Sequence, residues 1–79
     1  MRYGPRSVMR EPAVLRQPLD GGLVVQTARR AGEPEALWQA RHCERVASAS
    51  RWSDRQFWLD KAARLISEHM ERERKAGAR

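Results

Sequence analysis

The clearest alternation of apolar and polar positions lies in the last third of the chain. Apolar side chains recur there at helical spacing and form one broad stripe, which consists of Trp58, Leu59, Ala62, Leu65, Ile66, His69 and Met70. Ser53 followed three residues later by Gln56 is typical of a capping box, and Gly77 is a natural stop. The pattern predicts a helix over about 53–76.

A second helical pattern precedes this one. Pro34 suits the first turn of a helix, because its missing N–H has no partner to lose there. The residues that follow place mostly small side chains on one stripe, which consists of Ala36, Ala40, Cys43, Val46, Ala47 and Ser50. We expect a helix over about 34–49, and the short link to the next helix predicts an antiparallel two-helix hairpin within 34–79.

The N-terminal third has a different pattern, in which glycine and proline recur too often for a long helix. Two short apolar runs flank the turn signal Asp20-Gly21, and this favours a β-hairpin within 13–30. The second run also fits the spacing of a short helix, and an irregular segment is a third alternative. Residues 1–12 are expected to form an N-terminal arm. The expected fold is therefore mainly α.

Length and composition narrow the class of protein. A chain of 79 residues has room for one small domain, expected over 13–79, and buries only about 60% of its unfolded surface. No apolar run approaches the roughly 18 to 20 residues that span a bilayer, and no apolar segment follows the basic start. We therefore expect neither a membrane span nor a signal peptide. The single Cys43 excludes an intrachain disulfide and favours a reducing cytoplasm.

The sequence lacks the common catalytic and metal-binding patterns. His42 and Cys43 are neighbours on the predicted helix and point about 100° apart, so the histidine is badly placed as a base for the thiol. The candidate ligands His42, Cys43, Glu44 and His69 lack the spacing of a zinc site. We therefore expect a protein that is not an enzyme and that uses no metal or cofactor.

The supply of large apolar residues is small for a helical hairpin of this length. Such a hairpin rarely exceeds about 3 to 5 kcal/mol of stability without a disulfide, a metal or a partner. Additional burial is expected from the N-terminal segment, from another protein or from a second copy. The two stripes favour a homodimer, whose predicted self-association residues are Ala36, Ala40, Cys43, Ala47, Trp58, Leu65 and Ile66.

Trp38 stands apart from the small-residue stripe, on the opposite side of the first helix with Arg41 and Arg45. Because Trp and Arg are enriched among interface hot spots, these three residues predict a partner-binding surface. In the alternative interpretation, the N-terminal segment covers Trp38 and makes it part of the core. The leading functional prediction is a non-catalytic interaction protein, an adaptor, inhibitor or accessory subunit that occupies a surface of a larger protein.

The chain is strongly basic, with a net charge of +6. Fourteen arginines against two lysines are typical of a GC-rich genome, such as that of a bacterium or its phage. The charge also makes nucleic acid a second choice of partner, for a regulator or for the accessory subunit of a nucleoprotein assembly. A strand over 23–29 followed by two helices resembles, in order and size, the ribbon-helix-helix repressors and antitoxins. That resemblance implies a DNA-binding dimer whose strands enter the major groove, presenting either Val24, Gln26 and Ala28 or the residues that alternate with them.

Overall fold

A computed structural model describes residues 13–77 of the chain. Four elements follow one another: the strands β1 (Val14–Pro18) and β2 (Val24–Ala28), then the helices α1 (Glu35–Ala49) and α2 (Trp52–Gly77). The prediction of a mainly helical chain, with a β-hairpin before two helices, is thus confirmed. The short-helix alternative for the second apolar run is wrong. The predicted arm, residues 1–12, lies outside the described residues.

The β-hairpin is a two-stranded antiparallel sheet, in a register that places Leu15 opposite Thr27. A short 3-10 turn, Asp20–Gly22, joins the strands. Gly21 and Gly22 have φ angles of 81° and 82°, in the left-handed region that glycine enters without a steric penalty. The turn signal in the sequence therefore marks the position where the chain reverses.

The pleat of β2 places alternate side chains on opposite faces of the sheet. Val25 and Thr27 are buried, whereas Val24, Gln26 and Ala28 are exposed. The buried face packs against α1, while the other face of β2 is open to solvent. A half-covered sheet of this kind has the period-two burial expected of an antiparallel hairpin.

Helix α1 is the central element, because it packs against β2 on one side and against α2 on another. The side towards β2 carries the buried residues Trp38 and His42, both hydrogen-bonded to that strand. The side towards α2 carries Ala40 and Cys43, which are also buried. Both sides of one short helix are therefore used for packing within the chain.

Small side chains form the contact between α1 and α2. The buried cluster at the contact consists of Ala40, Cys43 and Ala62, and Trp58, Leu65 and Ile66 pack against it. Alanine and cysteine project little from a helix, so the two helices come close together. Ala62 is the one buried residue of α2 within the described part of the chain, and most of this helix therefore faces outward.

The start of α2 differs from the predicted capping box. The helix begins at Trp52, so Ser53 lies inside its first turn, and the side chain of Gln56 donates to Asp60 Oδ1 at 2.9 Å. Arg55 ties the first turn to α1, because its Nε donates to a backbone carbonyl of that helix at 3.1 Å. The capping prediction is wrong because a contact between the helices, rather than a local side-chain cap, anchors this end.

The packing of α1 against α2 predicts a strong dependence on side-chain size. Ala40→Leu should lower the free energy of unfolding by about 1 to 3 kcal/mol, because a larger side chain forces the two helices apart. Ala76→Leu, at an exposed position near the end of α2, is the matched control and should leave stability within about 0.5 kcal/mol. Urea denaturation followed by circular dichroism measures both, and equal stabilities would contradict this packing.

Candidate functional site

Thr27 is the point where β2 and α1 are joined by hydrogen bonds. Its side chain is 1% exposed. Its backbone carbonyl accepts a hydrogen bond from Trp38 Nε1 at 2.9 Å. Its hydroxyl oxygen lies 2.8 Å from His42 Nδ1 and accepts from Arg45 Nε at 3.1 Å. One residue of the strand therefore holds three side chains of the helix.

Thr27 and Arg45 form the polar surroundings of His42. Arg45 can only donate, so the Thr27 hydroxyl accepts from Arg45, and the same hydroxyl and His42 Nδ1 share a second hydrogen bond. Burial lowers the pKa of His42, and the nearby positive charge of Arg45 lowers it further. The folded structure therefore favours the neutral imidazole over the charged one.

Glu33 and Arg41 form an ion pair at the entry to α1. Arg41 Nε and Nη2 donate to the two carboxylate oxygens of Glu33 at 2.9 and 2.8 Å. The backbone N–H of Arg30 donates to the same carboxylate at 3.0 Å. Gly32, with a φ of 76°, allows the tight turn before Glu33. The hydrogen bonds from Arg41, then that from Arg30, lower the pKa of Glu33 to about 2.

Two arginines of α1 also cover the outer edge of β2. Arg41 Nη2 donates to the backbone carbonyl of Ala28 at 2.7 Å, and Arg45 Nη2 donates to that of Gln26 at 3.1 Å. Both carbonyls point away from β1, because the hydrogen-bonded pairs of the hairpin fall on the alternate residues. Charged side chains at a strand edge hinder pairing with another strand. The outer edge of β2 is therefore partly blocked by its own chain.

These contacts change the interpretation of the predicted partner-binding residues. Trp38 is 7% exposed, with Arg29 lying 5.3 Å from the centre of its ring. Arg41 and Arg45 bind groups of the same chain. The premise that Trp38 stands on an open face of α1 is wrong, because β2 covers that face. The alternative, in which the N-terminal strands make Trp38 part of the core, describes the structure. Partner binding by these three residues stays a prediction.

The predicted self-association residues are likewise engaged within the chain. The small side chains of α1 and the larger ones of α2 meet each other at the contact between the helices, as the cluster of Ala40, Cys43, Trp58, Leu65 and Ile66 shows. Ala47, from the same stripe, is also buried, whereas Ala36 is half-buried. A second copy could reach this surface only by separating the helices. Self-association through these residues stays a prediction, and their side chains are already packed at the contact between α1 and α2.

Large apolar side chains are exposed on another side of α2. Trp52, Leu59, Ala63 and Met70 lie within about 40° of one another around the helix, and we name them the outer stripe. Trp52 is 77% exposed, Leu59 40% and Met70 63%. Phe57, 60% exposed, lies on a different side and packs edge-on against Trp58 at 5.1 Å. The outer stripe is thus an apolar helix face that no described residue covers.

A groove runs between β1 and α2, with α1 as its floor. It consists of two adjoining cavities of about 410 and 270 Å³, which share Gln17 and Trp58. The larger cavity lies at the hairpin turn, near Asp20 and Asp54. The smaller one is lined by Leu15, Arg16, Gln17, Gln39, His42, Cys43, Trp58, Lys61 and Leu65. We name the two cavities together the hairpin–helix groove.

Neither helix within 13–77 is long and apolar enough to cross a membrane. In the same range, no three His, Cys, Asp or Glu side chains come together in a group that could hold a metal ion. Burial raises the pKa of the Cys43 thiol, which disfavours the reactive thiolate. Comparisons of the chain with protein-family models, with curated proteins and with solved structures gave no match.

Thr27 and Glu33, the two residues that organise this site, have no distinctive signal in the sequence. Thr27 is one of several residues in a predicted strand, and nothing local distinguishes it from a solvent-facing threonine. Glu33 is recognisable only as an acidic residue before a helix. Its distance of eight residues from Arg41 spans a turn and two helical turns, so no fixed spacing would have identified the pair.

The network at Thr27 predicts that the hydroxyl of this residue contributes more to the free energy of unfolding than the shape of its side chain does. Thr27→Val keeps the volume but leaves His42 and Arg45 without their shared partner, so the free energy of unfolding should fall by about 1 to 3 kcal/mol. Thr27→Ser, the matched control, keeps the hydroxyl and should lose less. Denaturant titration of the three proteins measures this order, and a valine variant as stable as the original would show that the network contributes nothing.

The ion pair at Glu33 predicts a loss of stability in acid. The pKa of Glu33 in the folded chain is about 2, below the ordinary value of 4.5, so the unfolded chain binds the proton more readily. The contribution of Glu33 is complete above pH 4.5 and disappears as the pH falls towards 2. Glu33→Gln should therefore flatten this part of the pH–stability curve.

Denaturant titrations between pH 2 and 7 measure that curve. Glu44→Gln removes an exposed carboxylate of α1 and is the matched control, which should retain the acid loss caused by Glu33. An unchanged slope in Glu33→Gln would assign the acid sensitivity to other groups.

Proposed function

We propose that this protein is a small non-catalytic interaction module that binds a larger protein, as an adaptor, inhibitor or accessory subunit. The observation that carries the proposal is the outer stripe of α2, an exposed apolar helix face next to a small core. Tryptophan and methionine are enriched at protein interfaces, and burying them against a partner removes apolar surface from water. The larger protein supplies the cover that residues 13–77 do not provide.

The spacing of the outer stripe supports a helix or helical groove as the surface it meets. Trp52 and Leu59 are seven residues apart, as are Ala63 and Met70, and a step of four separates the two pairs. Such spacing produces a narrow apolar seam along one side of a helix. Ala63 lies in the middle of the seam, where a small side chain permits close approach.

The length of α2 also supports binding outside the chain. A helix of 26 residues is about 39 Å long, whereas the 15 residues of α1 extend for about 22 Å. The last turns of α2 therefore extend past the helix against which its first half packs. Met70 lies in this second half and is 63% exposed. A partner on the outer stripe would contact both halves.

The contacts of β2 favour this proposal over a ribbon-helix-helix regulator. That alternative needs the strand of one chain to pair with the same strand of a second chain. Here β2 already pairs with β1, and its other edge has carbonyls bound by Arg41 and Arg45. Those two arginines are also occupied in the chain rather than free for phosphates. Localisation in a reducing cytoplasm is part of the proposal, on the strength of the single, buried Cys43.

Site-specific photocrosslinking tests the proposal. We expect p-benzoylphenylalanine at Leu59 or Met70 to crosslink to a protein larger than this chain in the native host, and the product to persist after nuclease treatment. The matched controls carry the probe at Arg64 or Glu68, which lie on the charged side of α2. Their yield should be at least tenfold lower.

Two outcomes would contradict the proposal. Crosslinks of equal yield from all four positions would show that contacts are non-specific. A product of twice the mass of the chain, without a heavier one, would assign the outer stripe to a homodimer instead of a larger protein.

A further inference from the structure

The two outer edges of the β-hairpin are not equivalent. The hydrogen-bonded pairs of the hairpin include Leu15 with Thr27, so the backbone N–H and C=O groups of Arg16 point away from β2. No described residue forms a hydrogen bond with these groups of Arg16. On the opposite edge, the carbonyl of Gln26, the residue paired with Arg16, accepts from Arg45. As far as residues 13–77 are concerned, the edge of β1 is therefore the more open of the two to another strand.

This edge borders the hairpin–helix groove. Leu15, Arg16 and Gln17 of β1 line the smaller cavity together with Trp58 and Lys61 of α2. The five residues of β1 extend for about 16 Å, enough for a segment of about five residues in extended conformation. An extended segment in the groove could form backbone hydrogen bonds with β1 on one side and side-chain contacts with α2 on the other.

We propose that the smaller cavity of the hairpin–helix groove, which no acidic residue lines, binds an extended acidic segment of a partner protein, and that this segment adds to the edge of β1 as a third strand. Strand addition derives affinity from backbone hydrogen bonds and specificity from pockets for alternate side chains. Here the apolar pocket is formed by Leu15, Cys43, Trp58 and Leu65. Arg16 and Lys61 lie on opposite walls of the same cavity and supply positive charge for carboxylates.

Charge also argues against the segments of this chain as occupants. Residues 1–12 carry Arg2, Arg6 and Arg10 against Glu11, a net charge of +2 that Arg16 and Lys61 would repel. The strands of a second copy contain no acidic residue, and pairing β1 with β1 would bring two copies of Arg16 together. An acidic segment from another protein meets neither obstacle.

This inference rests on the proposed function, because it assumes a protein partner, and it concerns a different surface. The groove and the outer stripe lie on different sides of α2. Failure of peptide binding together with successful crosslinking from the outer stripe would therefore overturn only the inference about the groove. Successful peptide binding without crosslinking would overturn the outer stripe as the partner site.

Binding of a defined peptide to the full chain tests the inference. The probe is a fluorescein-labelled peptide, Glu-Val-Glu-Leu-Glu-Val-Glu, and the control peptide has lysine at every glutamate. We expect the acidic peptide to bind at least tenfold more tightly in fluorescence anisotropy. Equal binding of the two peptides, or no binding of the acidic one at millimolar protein, would overturn the inference.

Three variants separate backbone pairing from charge. Arg16→Gln removes the charge and should weaken binding severalfold. Arg16→Pro also removes the outward N–H and should weaken it at least tenfold, because proline is tolerated at a strand edge but cannot donate. Gln26→Pro, at the paired position of the opposite edge, is the matched control and should bind as the original chain does. An Arg16→Pro variant that binds as tightly as Arg16→Gln would overturn strand addition.

Hydrogen exchange provides a readout that needs no variant and does not depend on the folding of Arg16→Pro. Saturation with the acidic peptide should slow exchange of the Arg16 amide at least tenfold and leave that of Gln26 unchanged. Slow exchange at Arg16 before peptide is added would overturn the inference. If this protection from exchange is independent of protein concentration, the chain's own residues occupy the groove. If the protection becomes stronger as the protein concentration rises, a second copy occupies it.

Discussion

The buried hydroxyl and carbonyl of Thr27 join the β-hairpin to the helices. Through them, β2 binds Trp38, His42 and Arg45 of α1. A hydrogen bond between neutral groups typically contributes about 1 kcal/mol, but a buried donor or acceptor left without a partner costs more. The strand and the helix are therefore held in one relative position, and this position determines where the hairpin–helix groove lies.

With β2 on one side of α1 and α2 on another, the core of the protein is divided into two thin contacts. Each contains few large buried side chains, and the buried residues between the helices are alanine and cysteine, with larger side chains of α2 packed around them. A central helix that is buried on both sides leaves α2 at the edge of the molecule. This arrangement explains why a helix of 26 residues keeps most of its surface exposed, including Trp52 and Met70.

The arginines at the two edges of the β-hairpin have different roles. Arg41 and Arg45 act inside the structure, since their planar groups bind Glu33, Thr27 and the carbonyls at one strand edge. Arg16 stands at the other edge, beside a groove. Arginines therefore partly block one edge of the hairpin, whereas the outward backbone groups of Arg16 at the other edge form no hydrogen bond with any residue of 13–77. The positive net charge of the chain is compatible with a nucleic-acid partner, but it does not distinguish these roles.

Local patterns in the sequence predicted the two helices and favoured the β-hairpin over a short helix or an irregular segment, because helical periodicity, glycine turns and strand alternation depend on neighbouring residues. They also separated the two sides of α1, one small and one carrying Trp38. Which element covers each side is a matter of tertiary contacts between residues more than ten positions apart, such as Trp38 with Thr27. For that reason only the folded structure decided that Trp38 is buried, that the small residues pack within the chain and that no other part of 13–77 covers the outer stripe or fills the groove.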